Sequence, residues 1–442
     1  NWATCPTLFV SCTRFYPFSF ENEAGYRALG RFISIESMTK KLPKILGIDV
    51  SKASVSCCLL ESRPENPREF YYTYPFDKFN ADSVGVKALL ALTPDIAILE
   101  PTGTNYSKIW ISHLDRAGVE VKLVGHRELK NYRSYQLNLP DKDDDADALA
   151  LACYGFDYAT DKLRFVRRRH PTIQRVRELI LRLNHLNRVQ SPIINRARQD
   201  LAWQFPEIAN TRSIRSPNKD TPLMWGWLAG IRKSNHYDRK YANSCGLGIT
   251  GTVRWHAQRI CSIEQEQHAI EIELSELLIQ PIFKPYQRVF DDFGFGLRLR
   301  CTILSQIFPL GDFLTADGQP EIKRLRGRVS GKPTKRHLSL RRFQKALGVA
   351  PSQESSGDSQ KIKIVGGSAI CRRSLWQWVF TRVEVRKSRM TNKIGVLLGE
   401  YLDTQKREGR PVQLVRSRTT ARAVKLLFPR LVNELNCDGR LE

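Results

Sequence analysis

Five aspartates, Asp141, Asp143, Asp144, Asp145 and Asp147, fall within seven residues of the stretch PDKDDDADALALA. The chain around them carries 70 lysines and arginines against 45 aspartates and glutamates, a formal net charge of +25. Carboxylates this close repel one another, so the segment either stays solvated or folds around a compensating cation. Two more acids stand where a cation site can be assembled: Asp49 ends the apolar run in KILGIDV, and Glu100 ends the one in DIAILE. Asp144 and Asp147 are three residues apart at the start of a helical pattern, which puts both on one helix face. One carboxylate from each of two strand ends, joined by such a pair, is an all-oxygen donor set for two Mg2+ ions. Two ions roughly 4 Å apart can activate a nucleophile and stabilise the leaving oxygen of a phosphodiester. Taken singly, each acid is equally a cap, a turn residue or a complement to a helix dipole. It is the four together, in a strongly basic chain, that point to chemistry.

The elements that must hold these acids are readable from periodicity. KILGIDV is a buried strand, and SVSCCLLES and REFYYTYPF are two further β-rich runs. FNADSVGVKALLALTP predicts a helix starting near Asn80 or Asp82 and stopped by Pro94. DIAILE is a strand, PTGTNYSKIWISHLDRAG a helix ended by Gly118, and VEVKLVGH a strand. After the basic, aromatic stretch RELKNYRSYQL, a helix with an acidic first turn begins at Asp144. Consecutive strands followed by alternating strands and helices make an α/β layout, in which sites form at the carboxyl ends of strands.

Beyond about residue 163 the pattern turns helical and basic. Val176, Leu179, Ile180, Leu183 and Leu186 share one helix face, and Thr211–Gly251 reads as a loop-rich insertion. Ile260, Ile263, Gln267, Ile270, Leu274 and Leu277 alternate steps of three and four, a short coiled-coil seam for self-association or for packing against the chain's own core.

With 442 residues, 41% of them hydrophobic, the chain has room for two or three packed domains. The positive balance points to a polyanionic partner, foremost nucleic acid. Among the ten cysteines none forms a C-x-x-C pair or sits at zinc-finger spacing with histidines, which favours a reduced, cytoplasmic setting. No apolar run reaches the length of a membrane span. Met38 opens MTKKLPKILGIDVSK as a natural start would, and residues 1–37 lack a basic segment ahead of an apolar core. They are expected to be a non-functional extension.

GIDVSK, then EPTGTNY-x3-W-x3-L-x2-AG-x2-V-x-LV, then K-x-D-x2-DA-x2-LA closely resemble the DEDD-type transposases of the insertion-sequence 110 family, which includes the Piv invertases and recombinases directed by a structured bridge RNA. The resemblance implies an RNase H-like, RuvC-like catalytic domain with Asp49, Glu100, Asp144 and Asp147 as the four acids, holding two Mg2+ ions. Asp143 stands where relatives usually have Thr, and Asp145 is a further additional acid. FDDFGFGLRLRCTILSQI is similar to the family's Pro-Gly-Ile-Gly segment, with Phe293 in place of Pro. GVAPSQESSG resembles the motif carrying a nucleophilic serine, and the Gly that follows selects Ser356 over Ser355. GGSAICRRSL matches the glycine and paired basic residues of the next helix at Gly367, Arg372 and Arg373, while Val365 replaces the usual Lys.

The expected organisation is an extension at 1–37, a RuvC-like DEDD domain at 38–160, a helical and coiled-coil region at 161–290 with an insertion at 211–251, and a mostly helical transposase domain with the serine motif at 291–442. The expected activity is cutting and rejoining of DNA strands, with a prokaryotic cytoplasmic location, a guide RNA, and a dimer or tetramer as the implied partners. Arg167, Arg168 and Arg169, then Lys323, Arg324, Arg326, Arg328 and Lys332, then Arg372 and Arg373 are the basic positions expected to hold nucleic acid. Tyr132, Tyr135, Trp376 and Trp378 lie beside basic residues as candidates for stacking on bases. Two alternatives remain: a structure-selective endonuclease using the four acids and water, which needs no serine, and a decayed, non-catalytic nucleic-acid-binding protein.

Overall fold

The computed structural model describes residues 43–101, 105–139, 142–161, 164–216, 219–326, 331–356, 359–364 and 366–437. The chain divides into two compact units, Asn1–Arg168 and Arg169–Glu442.

The first unit is built on five strands: β1 (Ile45–Val50), β2 (Ser54–Leu60), β3 (Asp77–Asn80), β4 (Ile96–Leu99) and β5 (Glu120–Leu123). Their order across the sheet is β3-β2-β1-β4-β5. β1, β2 and β3 pair antiparallel, while β4 and β5 run parallel to β1. This is the RNase H-like arrangement that the motifs imply. Five helices accompany the sheet: α1 (Pro67–Thr73), α2 (Ser83–Ala91), α3 (Tyr106–Arg116), α4 (His126–Asn131) and α5 (Asp144–Tyr158).

Strand alternation divides the core in two. Leu46, Ile48, Ala97 and Leu99 pack with Val86, Leu89, Trp110 and Leu114 of α2 and α3. Ile45, Ile96 and Ile98 pack on the other face with Leu149, Leu151 and Ala152 of α5 and with Leu129 and Tyr132.

α1 departs from the sequence expectation, since REFYYT is helix and not strand. Pro67 takes the first helical position, and the Asn66 side chain accepts a bond from the Glu69 N–H, so a capped turn overrides the β propensity of the aromatics. α2 is capped by Asp82, within the expected start. RELKNYRSYQL forms α4 and a π-helical turn over Tyr132–Gln136.

The second unit is mostly helical: α6 (Pro171–Gln204), α7 (Pro206–Ala209), α8 (Leu223–Leu228), α9 (Asn235–Ala242), α10 (Gly251–Leu278), α11 (Lys284–Asp292) and α12 (Leu297–Ile307) lead to two hairpins. These are β6 (Ile322–Arg326) with β7 (Pro333–His337), and β8 (Pro351–Ser356) with β9 (Ser359–Ile364); α13 (Leu338–Ala346) lies between them. α14 (Ala369–Trp378), α15 (Lys393–Arg407) and α16 (Val412–Cys437) complete it.

The coiled-coil seam is used inside the chain: Ile260, Gln267, Ile270 and Leu274 are buried, and the paired helix is α6. Arg175–Glu273 and Arg182–Glu266 ion pairs, each 2.5 Å at the closest atoms, flank the contact. The 211–251 segment is mostly loop, as expected, but it also carries two short helices with a packed face. Met224, Trp225, Leu228 and Tyr237 from α8 and α9 are buried with Phe205 and Val253, so aromatic residues spaced between polar ones build a small core of their own.

Candidate active site

The site begins with the strand period of two. Ile45 and Gly47 on β1, and Ile96 and Ile98 on β4, face α5; alternation carries the same face to Asp49 and Glu100. β1 and β4 are parallel, with Ile48 opposite Leu99, so Asp49 and Glu100 follow side by side at the carboxyl ends of neighbouring strands. α5 lies directly on β1. A Cβ on Gly47 would stand 2.0 Å from the Ala148 carbonyl oxygen and 2.5 Å from the Ala152 nitrogen, so only glycine lets the helix approach. Asp144 and Asp147 continue that α5 face by one turn towards the strand ends.

The electrostatics register the convergence. Burial pushes the Asp49 carboxyl up to about 7, and the nearby charges of Asp147, Asp144 and Glu100 add to the shift. Burial likewise raises Asp147, against the pull of Arg133. The acids sit beside basic side chains: Arg133 Nη1 donates to Asp147 Oδ1 at 2.5 Å, and His126 Nδ1 lies 2.8 Å from Glu100 Oε1. Arg133, His126, Lys130 and Lys142 were not singled out from sequence, because nothing in a run of scattered basic residues shows which ones fold over the acids.

The additional acids have other tasks. Asp143 is the N-cap of α5: its Oδ1 accepts the Ala146 N–H at 2.6 Å, and Tyr71 donates its hydroxyl to Oδ2. Asp145 pairs with Lys78 at 3.3 Å, beside β3. Asp141 lies outside the described residues.

The donor set suits a hard divalent cation in kind, being all carboxylate, and the crowding felt by Asp49 is what such a cation relieves. Among the described residues no three potential ligands stand at metal-holding spacing. The burial and crowding of Asp49 have a measurable consequence without metal. Asp49 binds its proton more tightly folded than unfolded, so the stability due to the protonated form is full below pH 3.8 and is lost as pH rises through about 7. Asp49→Asn is therefore expected to melt higher than the parent in chelator, by a margin that widens between about pH 5 and about pH 8 in thermal melts followed by circular dichroism.

In the second unit Ser356 ends β8 and pairs in register with Ser359, next to the turn of the hairpin; its side chain lies outside the description. The base of this hairpin is pinned. Arg372 Nη1 donates to the carbonyls of Gly348 at 3.1 Å and Gly366 at 3.3 Å, one on each side of the hairpin. Gly367 has φ +67° and a position where a Cβ would lie 1.9 Å from the Lys345 carbonyl oxygen. Arg372 is thus engaged by backbone, whereas Arg373 remains exposed.

Of the other basic positions, Lys323, Arg324 and Arg326 are exposed on β6 and Lys332 is exposed just before β7. Arg328 and Val365 lie outside the described residues. Arg168 forms a two-pronged pair with Asp115, the nearer Nη2–Oδ2 contact being 2.5 Å, and Arg167 and Arg169 are exposed.

Two stacking expectations are overturned. Tyr132 is buried with its hydroxyl on Asp157, and Trp378 is buried with its Nε1 on the Phe293 carbonyl, because both fall on core-facing helical positions. Trp376 already carries the Arg416 guanidinium over its ring at 4.9 Å, and Tyr135 is 84% exposed.

Comparison with known proteins bears on this geometry. Residues 46–206 match a family model described as "Transposase", of the DEDD type of IS110, and residues 324–394 match "Transposase IS116/IS110/IS902 family". No curated protein sequence matches significantly. Among solved structures, Thermus thermophilus RuvC is 13% identical, with a TM-score of 0.20, covering 28% of this chain and 99% of RuvC. The same protein in complex with a Holliday junction substrate is 14% identical, with the same coverage and TM-score. No helix among the described residues is long and apolar enough to cross a membrane.

Proposed function

We propose, for a chain that belongs to the IS110 family of transposases, that it cuts and rejoins DNA strands with Asp49, Glu100, Asp144 and Asp147 as the holders of divalent metal and Ser356 as the nucleophile. The observation that carries the metal part is the convergence of two strand-end carboxylates with the first turn of α5, where burial first and the neighbouring acids second push Asp49 up to about 7. Mg2+ held there would supply Lewis acidity at the phosphate oxygens. Arg133 and His126 hold Asp147 and Glu100 in place, and burial of the strand ends keeps water from solvating the carboxylates individually.

In the serine step the Ser356 Oγ–phosphorus bond forms as the phosphorus–oxygen bond of the cut strand breaks. The serine proton passes to water and the departing strand end takes one up, leaving a phosphoserine–DNA ester. Attack by another strand's hydroxyl reverses these changes and rejoins the DNA. The pinned base of the β8–β9 hairpin supports a fixed position for this residue. The exposed basic hairpin β6–β7 is suited to phosphate contacts, including those of a structured guide RNA, and a homo-oligomer would supply the second strand's active site.

Ser356→Ala separates this mechanism from the water-using endonuclease that the acids of the first unit could run alone. It is expected to lose the protein–DNA adduct and strand joining completely while DNA affinity stays within about twofold. Retained cleavage and joining in a gel assay would remove the serine from the mechanism.

A further inference from the structure

Beside the acid cluster is a small pocket of about 110 Å3. Glu100 and Asp147 line it together with His126, Lys130, Arg133 and Lys142. Each acid already has a partner in this same pocket, Glu100 the His126 ring and Asp147 the Arg133 guanidinium. Lys130 and Lys142 are exposed, adding two positive charges at its mouth.

Arg133 is an unusual residue to find there. It is only 5% exposed, and while Nη1 bonds Asp147, its buried Nε has no hydrogen-bond partner among the described residues. A buried donor left unpaired costs about 1–3 kcal/mol. Such a cost is tolerated where a ligand supplies the missing acceptor. Arg133 sits in the π-helical turn Tyr132–Gln136, and such turns often re-aim side chains at functional sites. Here Tyr132 and Arg133 both stay buried, while Tyr135 points to solvent.

We propose that this pocket seats a phosphodiester group of a bound DNA strand, with Lys130, Arg133 and Lys142 as its cationic wall. The inference rests on the DNA-cutting reading above and adds residues that reading does not use. A planar guanidinium fork matches two phosphate oxygens, and two lysines supply point charges around them. The size agrees. At roughly 30 Å3 per water the pocket takes a few waters' worth of ligand, as a phosphate group does, and it is well short of the roughly 300 Å3 of a pocket enclosing a nucleoside-sized molecule. A phosphate so placed adjoins Glu100 and Asp147, which puts the strand against the acids.

The test uses the full-length protein and a fluorescent DNA duplex, with Ca2+ replacing Mg2+ so that binding is read without turnover. Lys130→Gln and Lys142→Gln are each expected to weaken binding by about fivefold to tenfold and to reduce the slope of log affinity against log salt by about 1. Arg133→Gln should weaken it further, with Arg133→Lys between. If Arg133→Gln fails to fold, the two surface lysine variants decide. Unchanged affinity and slope in the Lys130→Gln/Lys142→Gln double variant overturns the proposal. So does a loss seen with RNA and not with DNA, or displacement of inorganic phosphate alone with DNA binding untouched. A parallel Glu100→Gln arm, read as cleavage in Mg2+, tests the underlying reading. Normal cleavage there, with DNA binding lost in the lysine variants, removes the acid-site mechanism and leaves the phosphate seat standing.

Discussion

Asp144→Asn is expected to abolish strand cleavage, lowering the rate by roughly 10³-fold or more, while Asp143→Asn leaves it within about threefold. The two residues are adjacent and chemically identical, so composition cannot separate them. Asp143 is spent on the helix: it caps α5 through Ala146 and receives the Tyr71 hydroxyl. Asn keeps an acceptor in the capping position, so Asp143→Asn should cost a few tenths of a kcal/mol, and Asp143→Ala about 1 kcal/mol. Asp144, one residue into the helix, is among the charges that raise Asp49. Removing a metal-holding carboxylate forfeits several kcal/mol of charge stabilisation at the reacting phosphate, and each 1.36 kcal/mol is a factor of about ten. Parallel cleavage assays in Mg2+, paired with melting curves, check both halves. A dead Asp143→Asn beside an active Asp144→Asn would shift the site by one residue.

Gly47→Ala is expected to be severely destabilising, costing more than about 3 kcal/mol and activity with it. The new Cβ would meet backbone atoms, the Ala148 oxygen and the Ala152 nitrogen, which cannot rotate away. α5 must lift from β1, carrying Asp144 and Asp147 away from Asp49. Gly155→Ala, at the far end of the same contact, is the control. Its Cβ would first meet Ile45 Cγ2 at 2.7 Å and Ile98 Cγ1 at 2.9 Å, side-chain and not backbone atoms, so it should cost less than Gly47→Ala and leave the acids in place. Urea unfolding of both variants, with DNA cleavage measured on the folded fraction, checks the order.

The exceptions to the sequence reading share a cause. REFYYT has strand-like residues, yet the Asn66 cap and Pro67 start a helix, a local hydrogen bond outweighing propensity. The segment 211–251 looks irregular because its helices are short, and only their shared burial makes them a core. The heptad seam was legible, but whether a seam closes on another copy or on α6 depends on which apolar face the fold brings to it.

The amino-acid sequence by itself determined that Asp49 and Glu100 end neighbouring types of element and that Asp144 and Asp147 share a helix face. Those are properties of period two and period 3.6, which are local. It also determined the family, because the motifs keep their order and spacing along the chain. Only the tertiary structure decided which aspartates serve the helix and which face the strands. It alone placed Arg133 and His126 on the acids and showed that Gly47 is the contact on which α5 rests. These are relations between residues 14 to 105 positions apart, set by which elements the fold brings together and how closely they approach. The stretch PDKDDDADALA carries five like charges. In the folded chain Asp143 and Asp145 are held by Ala146, Tyr71 and Lys78, and Asp147 by Arg133, so the repulsion is shared out among partners that the segment itself does not contain, save for its own cap.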